Sequence, residues 1–89
     1  MPKKILLIDD DALVLKSIRN LLIQQGYQVD CAKSAEEAIN QLRETSPNLI
    51  ICDIRMPGKS GIDLIRQLKQ TCQDERRPDV SFIFITGYA

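Results

Sequence analysis

The segment ILLIDDD, residues 5–11, decides the fold, because four apolar residues run directly into three aspartates. A short apolar run of this kind is typical of a strand that is buried on both faces of a parallel sheet. Two further runs have the same form: Leu49–Cys52 ends on Asp53, and Val80–Ile85 ends on Thr86. In open α/β sheets the carboxyl ends of the strands form the ligand-binding edge. The sequence therefore predicts carboxylates and a hydroxyl around one point.

Strand and helix patterns alternate along the whole chain. Strands are predicted at residues 4–8, 27–31, 48–52 and 81–85. Three helices lie between them. Asp11 is the predicted N-cap of the first helix and Gly26 its stop, while Ser34 and Glu37 have the spacing of a capping box. The order βαβαβαβ predicts one domain, residues 1–89, with a parallel sheet and helices on both faces.

The composition excludes several classes of function. Twelve basic and twelve acidic side chains give no net charge, so nothing favours nucleic acid or an anionic membrane. The chain has no histidine, which excludes histidine-dependent triads and a phosphohistidine carrier. The three cysteines lack metal-ligand spacing, and no apolar run approaches the roughly 20 residues of a membrane span. We therefore expect a cytoplasmic domain with reduced thiols that binds neither nucleic acid nor membrane.

Three carboxylates, those of Asp9, Asp10 and Asp53, are the candidate reactive groups. Carboxylates at close range raise each other's pKa unless a cation joins them, and Mg²⁺ prefers oxygen ligands of this kind. A carboxylate beside Mg²⁺ is able to accept a phosphoryl group and hold it as an acyl phosphate. Thr86 is expected to hydrogen-bond a phosphoryl oxygen. Asp11, by contrast, is expected only to cap its helix.

The chain resembles the receiver domain of two-component response regulators over its full length. The resemblance is carried by residues 5–11, 49–61 and 82–87. The most specific part is Asp53 followed by Met56-Pro57 and then by Gly61, eight positions after the aspartate. This resemblance implies a flavodoxin-like α/β fold with strand order 2-1-3-4. It also implies that Gly61 begins the third helix.

The same resemblance implies a role for each site residue. Asp53 would be the phosphoacceptor, taking a phosphoryl group from a phosphohistidine on a sensor histidine kinase. Asp10 would ligate Mg²⁺ directly, Asp9 would act mainly through water, and the backbone carbonyl of Arg55 would be a further ligand. Thr86 would be the switch hydroxyl. Such a domain is an autocatalytic phosphoacceptor in signalling rather than a metabolic enzyme.

The sequence departs from a complete receiver after its fourth strand. A complete receiver continues with a fourth helix, a fifth strand that carries a lysine, and a fifth helix. We therefore expect a C-terminally truncated receiver in which Mg²⁺ affinity is reduced and phosphorylation is impaired. The fourth strand would become an exposed apolar edge. A homodimer formed by antiparallel pairing of that strand, or by exchange of an element, is the expected result.

Other readings of the sequence belong to different classes of protein. One is a phosphorylation-independent interaction module, or an inactive receiver fragment, that associates through the fourth strand. A haloacid-dehalogenase type of enzyme needs a second aspartate two residues after its nucleophile, where this chain has Arg55. A flavodoxin-type site needs a phosphate loop after the first strand, where three aspartates would repel the phosphate.

Overall fold

The computed structural model describes residues 3–53, 61–76 and 80–85, which form one parallel sheet with helices on both faces. The elements are β1 (Lys4–Ile8), α1 (Ala12–Gln24), β2 (Gln28–Ala32), α2 (Ala35–Thr45), β3 (Leu49–Asp53), α3 (Gly61–Asp74) and β4 (Ser81–Ile85). The strand order is β2-β1-β3-β4, and every neighbouring pair is parallel. The predicted strand order and the predicted start of α3 at Gly61 are both confirmed.

The two faces of β1 bury alternate side chains. Leu6 and Ile8 belong to the main core, which they share with α2 and α3. Ile5 and Leu7 are also buried but lie outside that cluster, on the face where α1 contacts β1 and β2. The main core is completed by residues from the other elements, namely Ala32, Ala38, Leu42, Ile50, Cys52, Leu64, Ile65, Leu68 and Cys72. A strand buried on both faces explains why β1 reads as a continuous apolar run.

The ends of the helices follow the predicted caps. The Asp11 side chain accepts hydrogen bonds from the N–H groups of Leu13 (2.9 Å) and Val14 (3.3 Å) at the start of α1. The Ser34 hydroxyl accepts the N–H of Glu37 at 3.1 Å and so caps α2. Gly26, with φ of 96°, ends the turn after α1, because that left-handed region favours glycine. Each cap satisfies backbone groups that the helix itself leaves unpaired.

One apolar position of α1 does not face the sheet. In the sequence, Leu15, Ile18, Leu21 and Leu22 recur at helical spacing and predict one apolar stripe. Leu15 is buried as this predicts, yet Leu21 is 58% exposed. Leu22 and Ile18 are half-buried. The stripe is therefore wider than the surface that β1 and β2 offer to α1. None of the helices in the described ranges is long and apolar enough to cross a membrane.

Asn48 aligns three strands at the amino end of the sheet. Its N–H donates to the carbonyl of Lys4 at 2.8 Å, and its side-chain oxygen accepts the N–H of Lys4 at 2.9 Å. Its carbonyl accepts the N–H of Ser81 at 3.0 Å. One residue thus connects β1, β3 and β4 before their ladders begin. The third strand was predicted at residues 48–52, and the observed strand is shifted by one residue, to Leu49–Asp53.

β4 is the least covered strand. Within residues 3–53, 61–76 and 80–85, its only neighbouring strand is β3, and neither face of it is packed by a helix to the extent seen for β1 or β2. Ile83 is 50% exposed and Phe84 is 45% exposed. Two apolar side chains of β4 are therefore exposed in the described part of the chain, and the predicted association through this strand stays a prediction.

Candidate metal centre at the carboxyl edge of the sheet

The sheet brings three carboxylates together where β1 and β3 end. Ile8 and Cys52 are paired in the β1–β3 ladder, so the next residues, Asp9 and Asp53, follow side by side at the carboxyl ends of the two strands. One carboxylate oxygen from each of Asp9, Asp10 and Asp53 lies within 4.8 Å of the others. The convergence follows from the parallel register, which places the same end of both strands at one edge.

Asp9 is held in place by backbone hydrogen bonds on both sides. Its N–H donates to the carbonyl of Ala32 at 3.1 Å, which extends the contact between β1 and β2. Its carboxylate accepts the N–H of Asp11 at 3.0 Å. Burial raises the pKa of Asp9 above its ordinary value; the Asp11 N–H opposes this, and the charges of Asp53 and Asp10 add to it. Asp9 is therefore an acid whose ionised form needs further stabilisation.

The three carboxylates differ in their access to solvent. Asp9 and Asp53 are 4% and 7% exposed, whereas Asp10 is exposed. The cluster thus has a buried floor and one side open to water. A small ligand or ion is able to enter from the open side and meet carboxylate oxygens that the strands already hold in place.

Cys52 lies in the core beside the carboxylates, and their negative charge affects the pKa of its thiol. Its pKa is raised to about 11, first by burial and then by the charges of Asp53 and Asp9. Its thiol contacts the carbonyl of Asp53 at 3.5 Å. At neutral pH Cys52 is therefore a neutral, buried side chain and supplies no thiolate to the site.

The other predicted site residues divide into two groups. Asp11 caps α1, as predicted, and is not a member of the carboxylate cluster. The Arg55 carbonyl and the Thr86 hydroxyl fall outside the described residues, so their predicted roles stay predictions.

One residue near the site escaped the sequence reasoning. Leu13 is 77% exposed in the first turn of α1, two residues after the cap and close in sequence to Asp9 and Asp10. Its signal in the sequence is an apolar residue that falls off the stripe of Leu15. An exposed leucine beside charged groups is a candidate contact for another protein.

The cluster fits a hard divalent cation. Carboxylate oxygens are the ligands that Mg²⁺ takes in proteins, usually one or two of them together with several waters. The buried floor supplies Asp9 and Asp53, and the exposed side at Asp10 leaves room for the waters. A cation at this place would favour the ionised form of Asp9, which burial disfavours.

Comparison with known proteins identifies the family. The response regulator receiver domain family matches residues 5–89. The polar-differentiation response regulator DivK of Brucella ovis is 33% identical over 89 residues, which are all of this chain and 70% of that protein. The chain spans only about a third of the length of other curated relatives it matches, such as the response regulator MprA of Mycolicibacterium vanbaalenii (36% identical over 74 residues, 83% of this chain and 32% of that protein).

Solved structures agree with this result. A CheY-like receiver domain protein from Methanospirillum hungatei is 32% identical with a TM-score of 0.85, over 100% of this chain and 67% of that one. The response regulator TrrA from Thermotoga maritima, solved in complex with Mg²⁺-BeF, is 30% identical with a TM-score of 0.82, over 98% of this chain and 71% of that one. The sheet order, the carboxylate cluster and these matches together show that the chain belongs to the response regulator receiver family of two-component signalling.

Proposed function

We propose that Asp53 accepts a phosphoryl group from a phosphohistidine on a sensor histidine kinase, with Mg²⁺ held by the neighbouring carboxylates. The observation that carries this proposal is the convergence of Asp9, Asp10 and Asp53 within 4.8 Å at the carboxyl edge. The similarity to TrrA, a relative solved with Mg²⁺-BeF, supports it.

Asp53 is the best placed of the three carboxylates to be the nucleophile. It is the member of the cluster that stands at the end of β3, within the sheet layer, and it is buried. Asp9 already accepts a backbone N–H from Asp11, which fixes its carboxylate as a ligand or an orienting group. Asp10 is exposed and is suited to hold an ion at the open side.

Transfer of the phosphoryl group to Asp53 requires that the carboxylate is held in position and that positive charge balances the phosphoryl oxygens. A carboxylate oxygen of Asp53 attacks the phosphorus, a new P–O bond forms, and the P–N bond to the donor imidazole breaks. The leaving imidazole keeps the bonding electron pair and takes up a proton. Asp53 is paired with Ile85 of β4 and follows Cys52, which is paired with β1, so the backbone that carries its carboxylate is already in place before the transfer.

Asp9, Asp10 and Asp53, together with the backbone carbonyl of Arg55, would hold the ion. When bound, Mg²⁺ supplies positive charge against the phosphoryl oxygens. Thr86 would then hydrogen-bond the phosphorylated aspartate as the switch hydroxyl. These roles bias a two-state equilibrium in the domain, since the new charge at Asp53 has different partners in the two states.

The partner kinase would dock beside the cluster, on α1. Leu13 and Val14 give this end of α1 an exposed apolar surface (77% and 36% exposed) next to charged residues. A protein donor needs such a surface, whereas a small-molecule donor does not. Leu13→Ser should therefore weaken transfer from a kinase and leave the reaction with acetyl phosphate unchanged.

The direct test is intact mass after incubation with acetyl phosphate and Mg²⁺. We expect one added phosphoryl group on the parent chain and none on Asp53→Asn. Asp11→Asn is the matched control: it removes a neighbouring carboxylate, but asparagine caps a helix as well as aspartate does. A folded parent chain that gains no mass, or an Asp53→Asn chain that gains as much as the parent, would contradict the proposal.

A second candidate function is association without phosphate. The exposed side chains of Ile83 and Phe84 on β4 favour it, and so does the absence of charge from that strand. In this case the chain acts as an interaction module, and homodimer formation is its simplest form. Association that is equal in the parent chain and in Asp53→Asn would favour this candidate; association that requires Asp53 would oppose it.

A further inference from the structure

Asp11 is bonded both to the carboxylate cluster and to the first turn of α1. Its N–H donates to the Asp9 carboxylate at 3.0 Å. Its own carboxylate accepts the N–H groups of Leu13 and Val14, and its carbonyl accepts the N–H of Leu15 at 3.0 Å. Leu15 is buried, so the helix that begins at Asp11 is anchored on the sheet. The N–H, the side chain and the carbonyl of Asp11 therefore join Asp9 to a fixed helix.

These bonds restrict the peptide plane between Asp10 and Asp11. The side-chain cap holds Asp11 in an extended conformation, with φ of −91° and ψ of 111°. The plane carries the Asp11 N–H and also contains the Cα atom of Asp10. On the other side of Asp10, the N–H of Asp9 is bonded to the carbonyl of Ala32 at 3.1 Å. The exposed carboxylate of Asp10 thus projects from a backbone that is held on both sides.

We propose that Asp11 is a positioning residue of the metal site, which raises the affinity of the carboxylate cluster for Mg²⁺. By capping α1 it keeps its own N–H against Asp9 and sets the place of Asp10. In this role it acts through the two neighbouring aspartates and not as a ligand. The inference rests on the Mg²⁺ site of the proposed function, and it gives Asp11 a role beyond the end of its helix.

The hydrogen bond from Asp11 leaves Asp9 able to bind an ion. It is made to Oδ1 of Asp9, and a carboxylate has a second oxygen with its own lone pairs. A bond from an N–H to an ionised carboxylate is about twice as strong as a bond between neutral groups. Hydrogen bonds that orient a metal ligand in this way contribute roughly 10–100-fold to metal affinity. Loss of the cap should therefore be detectable as weaker binding of Mg²⁺.

Ser34 shows what a helix cap does without this connection. Its hydroxyl accepts the N–H of Glu37 at 3.1 Å, and its carbonyl accepts the N–H of Ala38. The hydrogen bonds that Ser34 makes in the described residues stay within the first turn of α2. Asp11 and Ser34 are thus two caps of similar kind, of which one is bonded to the carboxylate cluster.

Substitutions at position 11 separate the cap from the charge. Asp11→Asn and Asp11→Ser remove the carboxylate but keep a side-chain oxygen that caps a helix, whereas Asp11→Ala removes both. Titration of the unphosphorylated chain with MgCl₂, followed by amide NMR shifts, gives the affinity. We expect Asp11→Ala to bind Mg²⁺ about tenfold more weakly than Asp11→Asn and Asp11→Ser. Because Asp11→Asn keeps the cap, it remains the matched control for phosphorylation.

Ser34→Ala is the matched control for the loss of a cap. It should lower the melting temperature as Asp11→Ala does and leave the affinity for Mg²⁺ unchanged. Hydrogen exchange of the residue-11 amide, measured without Mg²⁺ and corrected for the side chain, is an independent readout. It should be faster in Asp11→Ala than in the parent chain and Asp11→Asn, because the N–H is no longer held against Asp9.

Three outcomes would overturn the inference: equal affinity for Mg²⁺ in Asp11→Ala and Asp11→Asn, an equal loss of affinity in Ser34→Ala, or unchanged exchange of the residue-11 amide in Asp11→Ala. Intact-mass phosphorylation is measured separately. A parent chain that gains a phosphoryl group, with equal affinity in Asp11→Ala and Asp11→Asn, rejects the positioning role alone. A parent chain that gains none, with the expected order of affinities, rejects the phosphoacceptor proposal alone.

Discussion

β2 and β4 are the outer strands of the same sheet in the described residues, but their surroundings differ. β2 is contacted by α1 and α2, and its side chains are half-buried or buried from Val29 to Ala32. β4 has contact with β3, and its side chains are half-buried at Phe82 and Ile85 and exposed at Ser81, Ile83 and Phe84. β2 carries a charge at its centre, whereas β4 carries none.

The difference shows that an outer strand is protected in two independent ways. Helices cover the faces of β2, and the charge of Asp30 makes its open edge unattractive to another strand. β4 has neither form of protection in the described part of the chain. Residues with the same strand propensity are therefore covered by helices at one side of the sheet and left exposed at the other.

The largest expected effect is a difference in unfolding free energy between a substitution in α2, which packs on β2, and a substitution in β4. Leu42→Ala removes a fully buried side chain of α2, and comparable substitutions cost about 2–5 kcal/mol of unfolding free energy. Ile83→Ala removes a side chain that is half exposed, so we expect it to cost less than about 1 kcal/mol in the monomer. Urea unfolding of dilute protein measures both values. Equal losses from the two variants would mean that β4 is as well packed as the β2 side.

A smaller effect, a gain rather than a loss of unfolding free energy, is expected for a substitution at the carboxyl edge of the sheet. Because Asp9 has a raised pKa in the folded state, its ionisation weakens folding as pH rises above its ordinary value of 3.8. Asp9→Asn keeps an acceptor for the Asp11 N–H and removes the charge, so without Mg²⁺ it should stabilise the chain at neutral pH. The gain should be smaller than the loss from Leu42→Ala.

The gain from Asp9→Asn must also depend on pH. It should be complete above the folded-state pKa of Asp9 and fade as pH falls towards 3.8, where the parent aspartate is protonated in both states. Thermal melts at several pH values measure the difference. A gain that persists at low pH would assign the effect to packing rather than charge, and a change in dimer content would show that the carboxyl edge and the β4 edge are coupled.

The exposed ion pair between α2 and α3 should contribute less again. Arg43 Nε lies 2.9 Å from a carboxylate oxygen of Glu75, and the two side chains are 57% and 29% exposed. Pairs of this exposure are worth about 0.2–1 kcal/mol, and salt screens them. Arg43→Gln should therefore lower stability slightly, by an amount that disappears at high salt. A larger, salt-independent loss would show that this pair anchors α2 over the β2 side.

The last prediction concerns reactivity and involves no change in stability. Cys31 on β2 is half-buried, whereas Cys52 on β3 is fully buried and has its pKa raised to about 11. A thiol reagent at neutral pH should label Cys31 first and reach Cys52 only when the chain opens. Mass spectrometry of the labelled peptides gives the order. Early labelling of Cys52 would mean that the sheet opens from the β4 side faster than thiols at the β2 edge react.

Most of the fold was predictable because periodicity and caps act locally. The bounds predicted for β1 and β4 are confirmed, and the predicted N-caps Asp11 and Ser34 both accept backbone N–H groups. β2 was predicted one residue early, since its start depends on pairing with β1 and not on the apolar character of Tyr27. The exposure of Leu21 was unpredictable for the same reason: a helix shows its apolar stripe in sequence, but not the width of the surface it meets.

The carboxylate cluster was predictable because parallel strands share one end. The sequence places Asp9 and Asp53 directly after two apolar runs, and their convergence is confirmed. The contrast between buried Asp9 and exposed Asp10 could not be read from adjacent identical residues; it depends on the chain leaving the sheet after Ile8. The roles predicted for Arg55 and Thr86 lie outside the described residues and stay predictions.

The hydrogen bonds of Asn48 at the amino end of the sheet affect the position of the carboxylates at its carboxyl end. Its hydrogen bonds fix the offset between β1, β3 and β4, and each strand advances by about 3.3 Å per residue. A slip of one residue would move Asp53 by that distance relative to Asp9 and turn β3 over, sending its core residues to the wrong face. The spacing of the carboxylate oxygens of Asp9 and Asp53 therefore depends on the amide side chain of Asn48, an uncharged group five residues before Asp53 on the same strand.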